Sequence, residues 1–326
     1  MTMHPAVVVV GSYNQDYAWR SDRLPQSGET RRALGFATGP GGKGYNQAVA
    51  CHRQGVPTCL IAALGNDALA DLARHHAQHE GLSCRWQIVT GAVSGSACVL
   101  IDAEGQNQIL VYPAANERLD PAFVRAQRED FSDARVVLAQ LESNPEAITA
   151  ALELGRSCGA LCVLNPAPVH PRLDPALLSA CDVITPNETE FALLLQRFAA
   201  TAVEASTIAA RSDAELHDLA RRVPVPTVVV TLGAQGCFVS HAEGAPRAAH
   251  EPVCYRHAAA PVVAVDASGA GDAFSGALAA AIAQRGSVRF AAAVRQASLA
   301  AALSTERPGT ASAMPTRAEL QARYGP

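Results

Sequence analysis

The sequence predicts an α/β domain with a mainly parallel central sheet and a small, discontinuous β flap. Apolar-rich runs at 6–10, 136–140, 161–165, 183–185 and 227–231 are separated by longer segments of helical character, the rhythm of parallel strands buried on both faces. A hairpin signal interrupts that rhythm, with strands predicted at 96–101 and 108–112 around a turn at 102–105. Residues 31–38 mix polar and apolar positions as a surface strand does. One domain over 1–326 is therefore expected, with a flap drawn from about 15–38 and 95–113 and poised to close over a ligand.

Taken in order, 6–10 is a buried strand running into Gly11, Ser12, Tyr13, Asn14, Gln15 and Asp16, and polar groups at a strand end are where open α/β sheets place ligands. Pro25 and Gly28 punctuate the stretch before the surface strand. A glycine-rich turn at 39–44 opens a helix to Ala50, a strand follows at 58–64, and a helix over 66–79 ends at Glu80 and Gly81. Residues 233–240 begin a second excursion and 255–257 form a further strand. A short apolar strand at 262–265 precedes Asp266, two helices broken near Gly286 come next, and a polar tail closes the chain.

With 326 residues, of which 49% are hydrophobic, the chain has ample material for a core. Its 26 Lys and Arg against 30 Asp and Glu give a net charge of −4 without a basic run, which argues against nucleic acid as a partner. Nine scattered cysteines with no CxxC pair suit reduced thiols rather than a disulfide framework or a zinc site. No apolar run has the length of a signal-peptide core or a membrane span, so a cytoplasmic protein that does not engage membranes is expected.

The chemistry concentrates at Asp266, Ala267, Ser268, Gly269, Ala270, Gly271, Asp272, Ala273 and Phe274, where the chain turns into an alanine-rich helix. Small residues allow close backbone approach, and free N–H groups with the helix dipole attract an anion. Asp272 would repel that anion, so it either caps the helix or takes a proton from whatever attacks there. The 39–44 turn formally fits GxGxxG but lies away from the first strand, and it fails the Walker A pattern at Ala37 and Gly44. It is a packing turn, or a site for a small polyhydroxylated ligand beside Lys43 and Asn46. Asn187 and Glu190 form a capping box, or place Asn187 near phosphate and Glu190 on a metal-bound water. The 231–236 turn is a strand end or a backbone surface for a nucleotide. Glu142 ends a strand in the same sense as Asn14 and Asp16. Sugar hydroxyls on one side and phosphate on the other would account for this mixture, since phosphoryl transfer needs positioning, charge stabilisation and a base.

These segments together resemble the PfkB family of carbohydrate kinases, most closely its ribokinase branch. The likeness runs nearly end to end, through residues 11–16, 41–50, 140–143, 165–168, 184–190, 231–233 and 266–274. It implies a three-layer α/β/α fold with a β-sheet lid, and transfer of the γ-phosphoryl of ATP to the primary 5-hydroxyl of D-ribose. By resemblance Asp272 is the base, and the backbone of Gly269, Ala270 and Gly271 stabilises the transferring group. Asn14, Asp16, Gly42, Lys43, Asn46 and Glu142 hold the sugar. Asn187, Thr231, Gly233, Gly236, Gly271 and Ser298 line the ATP site, with Glu190 organising Mg²⁺ through water. Asp266 and Ser268, with the carbonyls of Ser304, Arg307 and Gly309, match a site for a potassium-type ion, although its hydroxyl ligand falls at Ala313, beside Ser312. Tyr45 replaces a small residue, where it is expected to trim the sugar pocket or stack on a nucleoside base. Ser298 replaces a larger residue beside adenine. The resemblance further implies a homodimer through the lid. Its alternatives are a kinase for 2-deoxyribose, a ketohexose or a nucleoside, or a sugar-binding regulator without turnover.

Overall fold

A computed structural model describes residues 4–104, 107–245, 251–284 and 290–325. Its strands are β1 (Val7–Val10), β2 (Asn14–Arg20), β3 (Gly35–Gly41), β4 (Thr58–Leu64), β5 (Ser83–Ile88), β6 (Gly95–Ile101), β7 (Asn107–Tyr112), β8 (Val136–Gln140), β9 (Leu161–Asn165), β10 (Val183–Ile184), β11 (Thr227–Thr231), β12 (Cys237–His241) and β13 (Cys254–His257). Nine of them form the main sheet in the order β13-β12-β11-β10-β9-β8-β1-β4-β5. The pairs from β5 across to β11 are parallel, and β12 and β13 add an antiparallel edge.

Alternation along the strands builds two cores. Val7 and Val9 face the helices Lys43–Arg53, Ala270–Ala283 and Phe290–Ser304, whereas Val8 and Val10 face the layer containing Pro145–Ser157 and Glu188–Ala199. Every side chain of β1 is fully buried, which is why that strand reads as uninterrupted valine. The result is a three-layer α/β/α fold. Among the described residues no helix is long and apolar enough to cross a membrane.

A second sheet, β3-β2-β6-β7, stands over the strand ends. One of its faces, with Ala18, Ala97, Val99 and Ile109, lines a cavity. The other carries a cluster of Tyr17, Trp19 and Phe36 rings, together with exposed Leu110 and Tyr112.

Several local expectations are corrected. Residues 14–20 form β2, which was hidden by its mixed polar sequence, and the surface strand lies at 35–41 rather than 31–38. Ser83–Ile88 is an unforeseen edge strand. The 262–265 stretch is not a strand but an exposed loop: among the described residues no strand pairs with it, and its nearest approach to a ladder is Val265 and Asp266 donating to Thr305 O. Cys237–His241 does not leave the main sheet but extends it. The polar tail contains the helix Arg317–Tyr324, started by a Thr316–Glu319 capping box. The predicted helix over 66–79 runs Ala68–Glu80, with Asp67 as its cap and left-handed Gly81 after it. The predicted break near Gly286 and the end of the 102–105 turn lie outside the described residues.

Candidate active site

Two helices meet almost backbone to backbone beneath the cavity. A Cβ on Gly276 would lie 2.5 Å from Gln47 O and 2.6 Å from Ala50 Cβ, so glycine is what lets Ala270–Ala283 press against Lys43–Arg53. That contact brings side chains of one helix to the first turn of the other. Asn46 Nδ2 and Gln47 Nε2 donate to the two oxygens of Asp272, each at 2.9 Å. Gln47 also donates to Asn165 Oδ1 at 3.0 Å and accepts from Gln140 Nε2 at 2.6 Å. Asp272 is thus 5% exposed yet fixed by neutral donors, with acceptor capacity remaining on its oxygens.

Gly269, in the left-handed region at φ 76°, starts that helix. Ala270 N–H turns to Ala267 O at 3.2 Å, and the N–H groups of Gly271 and Asp272 have no backbone partner outside the helix among the described residues. They form a helix N-terminus of 14 residues with donors to offer.

Beside it lies a polar cluster. Glu142 accepts from Ser12 Oγ at 2.7 Å and from Lys43 N–H at 2.9 Å. Asn14 Oδ1 accepts from Asn116 Nδ2 at 3.0 Å, and Asn116 also exchanges hydrogen bonds with the Tyr13 backbone. Burial pushes the Asp16 carboxyl up to about 7, with repulsion from Glu142 and Asp272 adding to it while Thr310 pulls the other way. Burial works against the Lys43 ammonium, but the charges of Asp272, Glu142 and Glu190 prevail and raise its pKa. Gly42 sits at φ 85° with its missing Cβ aimed 2.7 Å from Asn14 N, so the turn has no room for a side chain.

Asn14, Asp16, Gly42, Lys43, Asn46, Glu142, Asp266, Ser268, Gly269, Asp272 and Gly309 line one cavity of about 920 Å³ between the main sheet and the small one. Asp266 accepts from Ser268 N–H at 2.9 Å and Gly309 N–H at 3.0 Å, joining two loops at its edge. The carbonyls of Ser304, Arg307 and Gly309 accept no hydrogen bond among the described residues beyond regular helix bonding, while the Arg307 side chain pairs with Glu319 at 2.9 Å. The same residues contain no group of three or more His, Cys, Asp or Glu side chains able to hold a metal.

The remaining predicted residues lie outside that cavity lining. Asn187 caps Glu188–Ala199 reciprocally with Glu190, at 2.8 and 2.9 Å, and bridges to Thr231. Burial raises the Glu190 pKa, against the pull of the Asn187 N–H and of Lys43. Gly233 begins a 3₁₀ turn, and Gly236, at φ 90°, passes so close to His257 O that a Cβ would lie 2.0 Å from it. Ser298 is buried on Phe290–Ser304, with Oγ 3.9 Å from Cys237 Sγ.

Tyr45 requires a correction. It is 2% exposed and packs edge-on against Tyr13 at 5.3 Å, outside the cavity lining, so it neither trims the pocket nor offers a stacking face. Sequence reasoning also passed over Asn116, Thr310, Gln140 and the second role of Gln47. The amide pair Asn46–Gln47 at a helix start was the available signal for Gln47, because adjacent residues there diverge by about 100° and only a ligand or partner beyond the core makes both polar.

A three-layer α/β/α body, a β sheet over its strand ends and a buried carboxylate at a glycine-opened helix define a sugar-type phosphotransferase. The chain belongs to the pfkB family of carbohydrate kinases, whose family model matches residues 4–317, and it is an ATP-dependent kinase. Ribokinase of Mus musculus is 33% identical over 317 residues, covering 97% of this chain and 93% of the mouse protein. Deoxyribokinase of Salmonella typhi is 33% identical over 313 residues, covering 95% of each. The structure of Arabidopsis thaliana ribokinase complexed with ribose and ATP superposes with a TM-score of 0.81 at 27% identity, covering 98% of both chains.

Proposed function

We propose that this chain transfers the γ-phosphoryl of ATP to the 5-hydroxyl of D-ribose, giving ribose 5-phosphate and ADP. The observation that carries the proposal is the place of Asp272, between a helix N-terminus suited to an anion and a cluster of carboxylate, amide and ammonium groups suited to a polyol. In this reading Asn14, Asp16, Gly42, Lys43, Asn46 and Glu142 bind the sugar. Asp272 takes the hydroxyl proton, the oxygen bonds to the γ-phosphorus, and the bond to the β–γ bridging oxygen breaks. The backbone of Gly269, Ala270 and Gly271 meets the charge on the transferring group, with the Gly271 N–H free to donate and the Ala270 N–H turning from Ala267 O.

Asn187, Thr231, Gly233, Gly236 and Ser298 form the nucleotide side. Glu190 would hold Mg²⁺ through water, and its electrostatic coupling to Lys43 and Asp272 supports that position. Mg²⁺ would neutralise phosphate charge. The carbonyls of Ser304, Arg307 and Gly309, which accept no hydrogen bond outside regular helix bonding among the described residues, together with Asp266 offer the hard oxygen donors that suit K⁺, which would strengthen the adjacent anion site. The exposed apolar face of the small sheet supports a homodimer through the lid. Nine free thiols suit a reducing, cytoplasmic setting.

A second reading, 2-deoxyribose as acceptor, is favoured by the deoxyribokinase match, equal in identity to the mouse ribokinase match. An acceptor panel with Mg-ATP and K⁺ separates them. Ribose is expected to give the highest kcat/KM, and a marked preference for deoxyribose, a ketohexose or a nucleoside contradicts the proposal.

A further inference from the structure

Arg53, the last residue of Lys43–Arg53, ties together pieces of chain far apart in sequence. Its Nε and Nη2 fork onto the two oxygens of Glu80 at 2.6 and 2.7 Å. Its Nη1 donates to the carbonyls of Ser312 and Met314 at 3.2 and 2.7 Å. A planar fork satisfies a carboxylate and two carbonyls at once, which a lysine ammonium cannot copy. Both side chains of the ion pair are mostly shielded, at 22% and 16% exposure, so the fork is held in place rather than swinging in solvent.

The loop gripped in this way reaches the cavity at its other end. The single Thr310 Oγ1 proton has two acceptors within reach, Pro40 O at 3.3 Å and, at the long end of hydrogen bonding, Asp16 Oδ2 at 3.5 Å. Thr310 and Met314 also abut Gly269, 3.3 and 3.4 Å from where its Cβ would stand. Asp16 has no other side-chain donor among the described residues, so the loop supplies the one side-chain hydroxyl within reach of its carboxylate.

We propose that Arg53 is a positioning residue for the acceptor site: its fork onto Glu80 sets the 309–314 loop so that Thr310 orients Asp16 toward the sugar. The proposal rests on the reading of Asp16 as a sugar ligand. A staple that merely joins two helices would change stability and leave sugar affinity alone.

The test is a double-mutant cycle on D-ribose affinity, measured by titration calorimetry on the full chain, with Arg53→Gln, Thr310→Val and the double variant. Loss of one orienting hydrogen bond corresponds to about a five- to tenfold weakening. Each single variant is expected to show about that loss, and the double variant no more than Arg53→Gln, because both act through one contact. Arg53→Lys keeps the charge without the fork and is expected to weaken binding nearly as much, which guards against a folding artefact. If wild type binds ribose and the single variants bind equally well, or their losses multiply in the double variant, the positioning role is overturned. If wild type does not bind ribose, the acceptor reading falls and takes this proposal with it.

Discussion

Asp16 shows most directly how packing sets chemistry at the residue scale. Its ordinary value of 3.8 is lifted to about 7 by burial and by the nearby charges of Glu142 and Asp272. The folded protein therefore holds a proton that the unfolded chain has released between those values, and the associated stability, present below 3.8, is lost as pH rises through about 7. Thermal unfolding of the ligand-free protein is expected to show Asp16→Asn gaining on wild type as pH rises across that window; parallel curves would refute the coupling. Much of this site was legible, because Asp272, Lys43 and Glu142 sit in short motifs whose polarity has no core explanation. Asn116, in the 3₁₀ helix Ala114–Arg118, and Thr310 were not, since each is one polar residue between the main elements whose meaning depends on contacts more than 100 residues away. Tyr45 misled for the opposite reason: a large aromatic beside cavity-lining Lys43 and Asn46 looks like part of the pocket, but the helix turn carries it into the core against Tyr13.

At the scale of elements, the crossing at Gly276 does for Asp272 what no single residue does. Gly276→Ala places a methyl against Gln47 O and Ala50, and overpacking of this kind costs about 1–3 kcal/mol. Urea unfolding is expected to show that loss. Because Asn46 and Gln47 are displaced from Asp272, kcat is expected to fall more than folding alone explains; an unchanged kcat at a lowered urea midpoint would separate the crossing from catalysis. The longer helices and the fully buried parallel strands were readable from sequence, β1 above all, because burial on both faces leaves only valine. The small-sheet strand β2 and the edge strand β5 were not: one places Asn14 and Asp16 on the cavity face, the other mixes Ser83, Arg85 and Gln87 with Cys84, Trp86 and Ile88. The 262–265 run erred the other way, since apolar sequence makes a strand only where another strand can pair with it.

Over the whole molecule, the cavity lies between two sheets, and the outer face of the smaller one exposes Leu110 and Tyr112 beside a ring cluster. If that face joins two copies, Leu110→Arg is expected to convert a dimer into a monomer in sedimentation velocity, with a raised KM for sugar as the lid loses support; a monomeric wild type, or a dimer indifferent to this change, would place the interface elsewhere. The central claim is that Asp272 stands between donor and acceptor as the base. Phosphorus NMR of wild type and Asp272→Asn incubated with Mg-ATP, K⁺ and D-ribose tests it most directly. Wild type is expected to form ribose 5-phosphate and ADP in equal amounts, and Asp272→Asn to do so about 10²–10⁴-fold more slowly while still binding ribose. Equal rates from the two proteins, or ATP consumed without a 5-phosphate, would contradict it.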